Sequence, residues 1–317
     1  MAIPAALPAE HHPACYPSTP AAALDFFREG FALAAKLDLP HAPPDLKLAG
    51  IVAPHIDFRV SRRAYAAAFA PLLHEPLAET YLILGVGHRS RLEWNLDRRD
   101  YTTPLGRAKC AVDWVDALAE SDADPARFSE PKAHHGEHSI EFPLLWLQAL
   151  HRLHPHGGKK PVRFVPLLCG GMHACVEKFE DWDELADFHR LARALSALFR
   201  KHPPGEKLRV IVSIDGCHIG PRFHHPFRVD EKMLNDTAAW EKKLWSRAAH
   251  GDAREFLGWL REEGNDRYFD GVGALALLFA ASNIAQNNFA IQRTFYEQWF
   301  TPRDASAVTF SSGRVLF

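Results

Sequence analysis

Four histidines and three aspartates in the 317-residue chain have the types and settings from which a metal or acid/base site is built. His55 closes the apolar run "IVAPH", with Asp57 two residues on, and His88 closes "LILGVGH". Asp215 and His218 end "LRVIVSIDGCH", with Cys217 just before the histidine. His138 stands in "GEHSIEFP", where a helix should start, and Asp270 in "RYFDGVGAL", ahead of an apolar run. Strands this apolar gain nothing in packing from a terminal histidine. Singly, each is more often a loop imidazole bonded to local backbone. Three at one edge of one sheet would mean more. Imidazole is the commonest neutral metal ligand and titrates near neutral pH. Two imidazoles and a carboxylate with open positions form the donor set of non-haem Fe(II) oxygenases, and similar donors also take zinc.

The remaining polar residues have weaker claims. Asp57 could orient a ligand histidine from behind. Arg59, Arg89 or Arg222 could pair with an anionic substrate group, although an exposed charge is the commoner role for any one of them. His138 either lines the pocket or caps its helix. Cys217, beside His218, is a minor candidate for a nucleophile. Other chemistries lack their signatures: there is no Gly-x-Gly-x-x-Gly after a strand, no Walker A and no Gly-x-Ser-x-Gly. "HHGEH" (134–138) lacks the spacing of a helical zinc motif.

Elements that would position these residues alternate along the chain. Continuous apolar runs at 46–55, 80–88, 162–170 and 208–218 read as strands covered on both faces. Helical spacing marks 21–37, 139–153, 184–201, 236–251 and 252–264, the second opening on a Ser that could cap. Residues 271–285 are apolar all round and predict a buried helix. Residues 304–317 read as a late strand or hairpin joining a sheet edge, and 154–161 as a surface loop. This alternation predicts one α/β domain over 1–317, a three-layer α/β/α sandwich with a mostly parallel or mixed sheet. In such sheets ligands gather beyond the carboxyl ends of the strands.

The composition is 47% hydrophobic and 24% charged, which is ordinary for a globular chain. A net charge of −2 gives no reason to expect nucleic acid or a membrane surface as partner. No apolar run reaches the roughly 20 residues of a spanning helix, and the Pro-broken N-terminus does not read as a signal peptide. Five cysteines without a Cys-x-x-Cys pair suggest a reduced, cytoplasmic protein. Among 19 histidines, pairs fall at 11–12, 134–135 and 224–225; such clustering alone is weak evidence for metal.

At these residues the chain resembles the Memo family, whose bacterial and archaeal members are often labelled AmmeMemoRadiSam system protein B. The similar segments run in order along nearly the whole chain. They are "PACYPSTP" (13–20), "IVAPHIDFRVS" (51–61), "LILGVGHRS" (82–90), "YTTPLGRAKC" (101–110), "EHSIEFPLLWLQ" (137–148), "FVPLLCG" (164–170), "VSIDGCHIGPRF" (212–223) and "SAVTFSSGRV" (306–315). The resemblance implies a fold related to class III extradiol ring-cleaving dioxygenases of the protocatechuate 4,5-dioxygenase type. It implies that His55 and His88 are metal ligands and that His218 is the acid/base. At the third ligand position the chain departs from animal Memo proteins, which carry Cys there; here Asp270 takes the place, with Asp266 or Glu263 as alternatives. The implied cofactor is Fe(II), with Zn or Cu as alternatives, and the implied activity a dioxygenase-like oxidation of a small phenolic or other anionic substrate. A non-catalytic metal-binding or peptide-binding role is the competing expectation. The label also implies a functional link to a radical-SAM protein.

Overall fold

The computed structural model describes residues 6–11, 13–119, 128–158, 160–177 and 180–317. His12, of the first histidine pair, and Lys159, in the 154–161 loop, lie outside the described residues. The strands are β1 (Leu7–Pro8), β2 (Leu48–Ala53), β3 (Thr80–Val86), β4 (Trp94–Leu96), β5 (Tyr101–Thr103), β6 (Gly106–Cys110), β7 (Arg163–Cys169), β8 (Leu208–Ser213), β9 (His218–Ile219), β10 (Ala290–Thr301) and β11 (Ser306–Leu316). The helices are α1 (Pro20–Leu33), α2 (Arg62–Phe69), α3 (Val112–Ala119), α4 (His138–Leu153), α5 (His173–Val176), α6 (Ala186–Lys201), α7 (Glu231–Ala248), α8 (Ala253–Glu263) and α9 (Val272–Ala285).

All strands join one mixed sheet in the order β1-β5-β6-β7-β3-β8-β2-β11-β10, with β4 added to β7 and β9 to β11. The block β6, β7, β3, β8 and β2 is parallel. Its apolar runs feed both faces, because successive side chains alternate across a strand. Val52, Leu84, Leu167 and Val210 pack with Leu195 of α6, Leu260 of α8 and Leu277 of α9. Ile51, Ile83, Phe164 and Ile211 pack with Phe27 of α1, Tyr65 of α2 and Trp146 of α4. Helices on both faces of the sheet make the expected α/β sandwich. Each fully buried Leu, Ile or Val contributes about 1.5–3 kcal/mol.

Two readings of the sequence need correction. The tail is not at an edge: β11 lies between β2 and β10, antiparallel to both. The edge strand on that side is β10, which the sequence pattern did not show because its apolar residues are interspersed with charged and amide side chains. Ser139 does not cap α4. Glu137 is the N-cap and accepts the Ser139 amide at 3.0 Å, while Ser139 Oγ donates to the Val86 carbonyl at 2.8 Å. That bond pins the start of α4 to the end of β3. The approach is so close that a Cβ on Gly85 would stand 2.7 Å from Ser139 Oγ.

Candidate metal centre at the carboxyl edge

β3, β8 and β2 are adjacent parallel strands, so residues just beyond their carboxyl ends become neighbours. His88 follows β3, Asp215 follows β8 and His55 follows β2. His138, the first residue of α4, joins from the side of β3. Donor atoms of His55, His88 and His138 all lie within 4.8 Å of one another. Donors of His55, Asp215 and Asp270 meet the same limit, so His55 belongs to both groups.

His55 is 1% exposed. Its Nδ1 lies 3.1 Å from the Ser213 carbonyl, which only accepts, so Nδ1 carries a proton and Nε2 is the atom that can give up its proton and ligate. That Nε2 has no hydrogen-bond partner among the described residues. Asp270 Oδ2 stands 3.2 Å from it, and both Asp270 oxygens are likewise buried without a hydrogen bond. Asp215 Oδ1 accepts the amides of His55 and Ile56 at 2.9 and 3.1 Å, and Oδ2 lies 3.7 Å from His55 Nε2. Asp215 therefore fixes the His55 backbone, while its burial and the nearby Asp270 charge raise its own pKa.

His88 is held by Glu137. The Glu137 carboxylate accepts the His88 Nδ1 proton at 2.9 Å and the His88 amide at 3.2 Å. Burial would raise the Glu137 pKa, but the His88 hydrogen bond and the nearby imidazoles lower it to about 2. An ionised carboxylate only accepts, so His88 also turns Nε2 outward. The His88 and His138 rings stack at 4.5 Å, and each stands edge-on to His55, at 5.0 and 5.1 Å. His138 is a third open to solvent, yet the protein around it and the neighbouring His55 and His88 pull its pKa down to about 2. It is a neutral imidazole at any working pH.

Asp270 arrives on a closed turn. The Asn265 side chain accepts the Phe269 amide at 2.9 Å and donates to the Phe269 carbonyl at 3.0 Å. Tyr268 adopts φ +47° there, an unusual conformation for a bulky residue. The same turn holds His218: its amide donates to the Arg267 carbonyl at 2.8 Å, and its Nδ1 faces the Gly216 and Tyr268 carbonyls at 3.2 and 3.3 Å. The lone pair of His218 is therefore on Nε2 as well. Behind the turn, α9 approaches β7 until a Cβ on Gly273 would meet the Gly170 carbonyl at 2.2 Å.

The other residues singled out from sequence lie apart from this gathering. Asp57 pairs with Arg59 and accepts from Cys15 Sγ at 3.3 Å. The orienting role expected of it is filled by Glu137 and Asp215. Cys217 is fully buried, its amide held by Glu241 and Thr309 at 3.1 and 2.6 Å, and its thiol pKa lies well above the ordinary value through burial and the Glu241 charge. Such a thiol is not a nucleophile. Arg89 donates to the His135 carbonyl, and Arg222 pairs with Asp304. Asp266 offers its carbonyl to His225, and Glu263 is exposed at the end of α8. Glu137 was not singled out from sequence; an acid directly before a helix-start histidine was the available signal. Glu141 was missed too. It is buried one turn into α4, accepts the amides of Glu10 and His11 at 2.9 and 3.1 Å and the Tyr16 hydroxyl at 2.5 Å, and faces His11 Nδ1 at 3.1 Å. It clasps the N-terminal segment against the site, with the His11 ring 5.6 Å from that of His138.

Fold and site together define a three-layer α/β protein with a cluster of metal-type donors at the carboxyl edge of its parallel strands. The chain belongs to the Memo family, as the model for "Memo-like protein" matches residues 8–313. It is similar to a MEMO1 family protein of Thermus thermophilus, 27% identical over 238 residues, covering 72% of this chain and 61% of that one. A MEMO1 family protein of Aquifex aeolicus is 26% identical over 187 residues, 58% of this chain and 43% of its own length. One from Thermococcus onnurineus is 24% identical over 258 residues, with 78% and 79% covered. The match thus spans about half of the first two relatives. Among the described residues no helix is long and apolar enough to cross a membrane.

Proposed function

We propose that the protein is a metal-dependent oxidoreductase whose ion is held by His55, His88 and Asp270. The observation that carries this reading is the set of buried atoms that face one another without a hydrogen bond: His55 Nε2 and both Asp270 oxygens. Leaving such groups without partners costs about 1–3 kcal/mol each, more when charged, and a divalent cation between them removes that cost. The donor set fits. In both His55 and His88 the Nδ1 proton is held by a protein acceptor, which leaves Nε2 as the ligating atom, and the Asp270 carboxylate supplies the negative charge that a buried dication requires. Three neutral histidines alone would not. His138 belongs to the open side, where His88 and His138 are 35% and 32% exposed. An open face of this kind favours turnover over storage.

Iron(II) in two imidazoles and a carboxylate supplies redox chemistry with dioxygen and keeps coordination positions open for substrate. The chain's own residues do the rest. His218 Nε2 is free to take a proton from a substrate hydroxyl and return it later, as acid/base work requires. His138, kept neutral, offers a hydrogen bond at the mouth. A small phenolic substrate suits that pair. Copper held by thiolate is disfavoured, because the Cys217 thiol is occupied with Glu241. The test is metal content by mass spectrometry after anaerobic purification, followed by oxygen uptake with catechols. Near-stoichiometric iron with catechol-dependent uptake is expected. Protein that refuses added iron would overturn the reading, and metal without turnover would reduce it to metal binding.

A further inference from the structure

The opposite edge of the sheet carries a polar feature that the metal centre does not use. Arg209 is the second residue of β8, at the amino end of the parallel strands, and its side chain is 2% exposed. Its Nε is buried and donates to nothing among the described residues. The acid nearest the guanidinium is Glu75, with Oε2 3.7 Å from Nη2, beyond hydrogen-bond reach, and the Glu75 side chain is itself 41% exposed. A guanidinium nitrogen buried without a hydrogen bond is a costly arrangement in a folded chain.

Arg209 borders a cavity of about 710 Å3 that also touches Lys47 and Arg314. Arg314 pairs in register with Ile51, and Ile51 with Ile211, so Arg314 and Arg209 project from the same face of the sheet. They are two strands apart, roughly 10 Å laterally. Arg314 donates to the Pro40 carbonyl and to Gln292 Oε1, at 2.6 and 2.9 Å, and neither is a charged partner. The walls are otherwise apolar and stiff, with Leu46, Pro71, Pro203 and Phe317 among them, and the acids are Glu75 and Glu206.

We propose that this cleft binds a small organic monocarboxylate, with its carboxylate on Arg209 and its apolar body against the leucine and proline walls. The guanidinium fork matches a carboxylate. The cavity exceeds what a bare oxyanion fills, and its walls suit hydrocarbon. Glu75 and Glu206 oppose a second negative charge, which selects a monocarboxylate over phosphate. In the free protein Glu75 is the weak substitute partner that the ligand displaces.

The test is calorimetric titration of the full chain with octanoate, benzoate and inorganic phosphate. Saturable one-to-one binding of a carboxylate is expected, with phosphate weaker. Arg209→Met should weaken the carboxylate by about tenfold or more. Glu75→Gln, which removes the competing acid, should tighten it. Arg314→Met, at the cleft flank, should weaken it less and serves if Arg209→Met does not fold. No saturable carboxylate binding by the wild type would overturn the proposal. So would unchanged binding in Arg209→Met, phosphate binding at least as tight, or a Glu75→Gln protein that loses stability and gains no affinity.

Discussion

His55 Nε2 stands 3.2 Å from Asp270 Oδ2, and neither atom has a hydrogen bond among the described residues. The pairing favours Asp270 over His138 as a ligand beside His55, because the His138 ring has no buried atom left without a partner among the described residues. His55→Ala and Asp270→Ala should each lose bound iron, whereas His138→Ala should retain most of it and lose catechol-dependent oxygen uptake. Elemental analysis of the three variants beside the wild type checks this, and loss of metal only in His138→Ala would give the third ligand position to that histidine.

Glu137 acts through His88. It accepts both the ring proton and the amide of His88, and it caps the helix that carries His138. Glu137→Gln keeps the shape but offers a neutral oxygen in place of a carboxylate. Metal affinity should fall roughly 10–100-fold, as for other partners of ligand histidines. Competition with a chromophoric chelator measures it, and an unchanged affinity would remove Glu137 from the site.

Metal uptake should release a proton. Burial acts to lower the His55 pKa, but the Asp215 and Asp270 carboxylates outweigh it and raise the pKa from 6.5 to about 10. Without metal the ring is therefore an imidazolium at neutral pH. Its contribution to stability is complete below 6.5 and is lost as pH rises through about 10. A metal needs the lone pair, so apparent affinity should climb about tenfold per pH unit across that window. Calorimetry in buffers of different ionisation enthalpy reads the released proton directly.

Glu141 ties the N-terminal segment to α4 through two amides and the Tyr16 hydroxyl. Glu141→Gln leaves these donors with a weaker acceptor and should cost about 1–3 kcal/mol. Hydrogen exchange at the Glu10 and His11 amides should quicken by a larger factor than exchange in β3. Uniform change across the chain would mean that the clasp is not a separate element.

Much of this protein follows from its sequence alone. Apolar runs ending at His55, His88 and Asp215 implied strands covered on both faces, and alternation with helical patterns implied the sandwich. Those features are local, since a strand with Val and Ile at both parities has to be buried on both sides. The resemblance carried by eight ordered segments gave the family. Strand order was not local. The last parallel strand, β8, inserts between β2 and β3, which brings Asp215 beneath His55, and β10 pairs on the far side of β11, which leaves β11 inside the sheet. The partners of the imidazoles were equally hidden. Asp57, close to His55 in sequence, turns to Arg59 and Cys15, while Glu137 reaches His88 from another element. Which carboxylate meets which imidazole depends on where helices dock after the sheet has formed. That docking is set by close contacts such as Gly85 on Ser139 and Gly273 on Gly170, which only the tertiary structure decides.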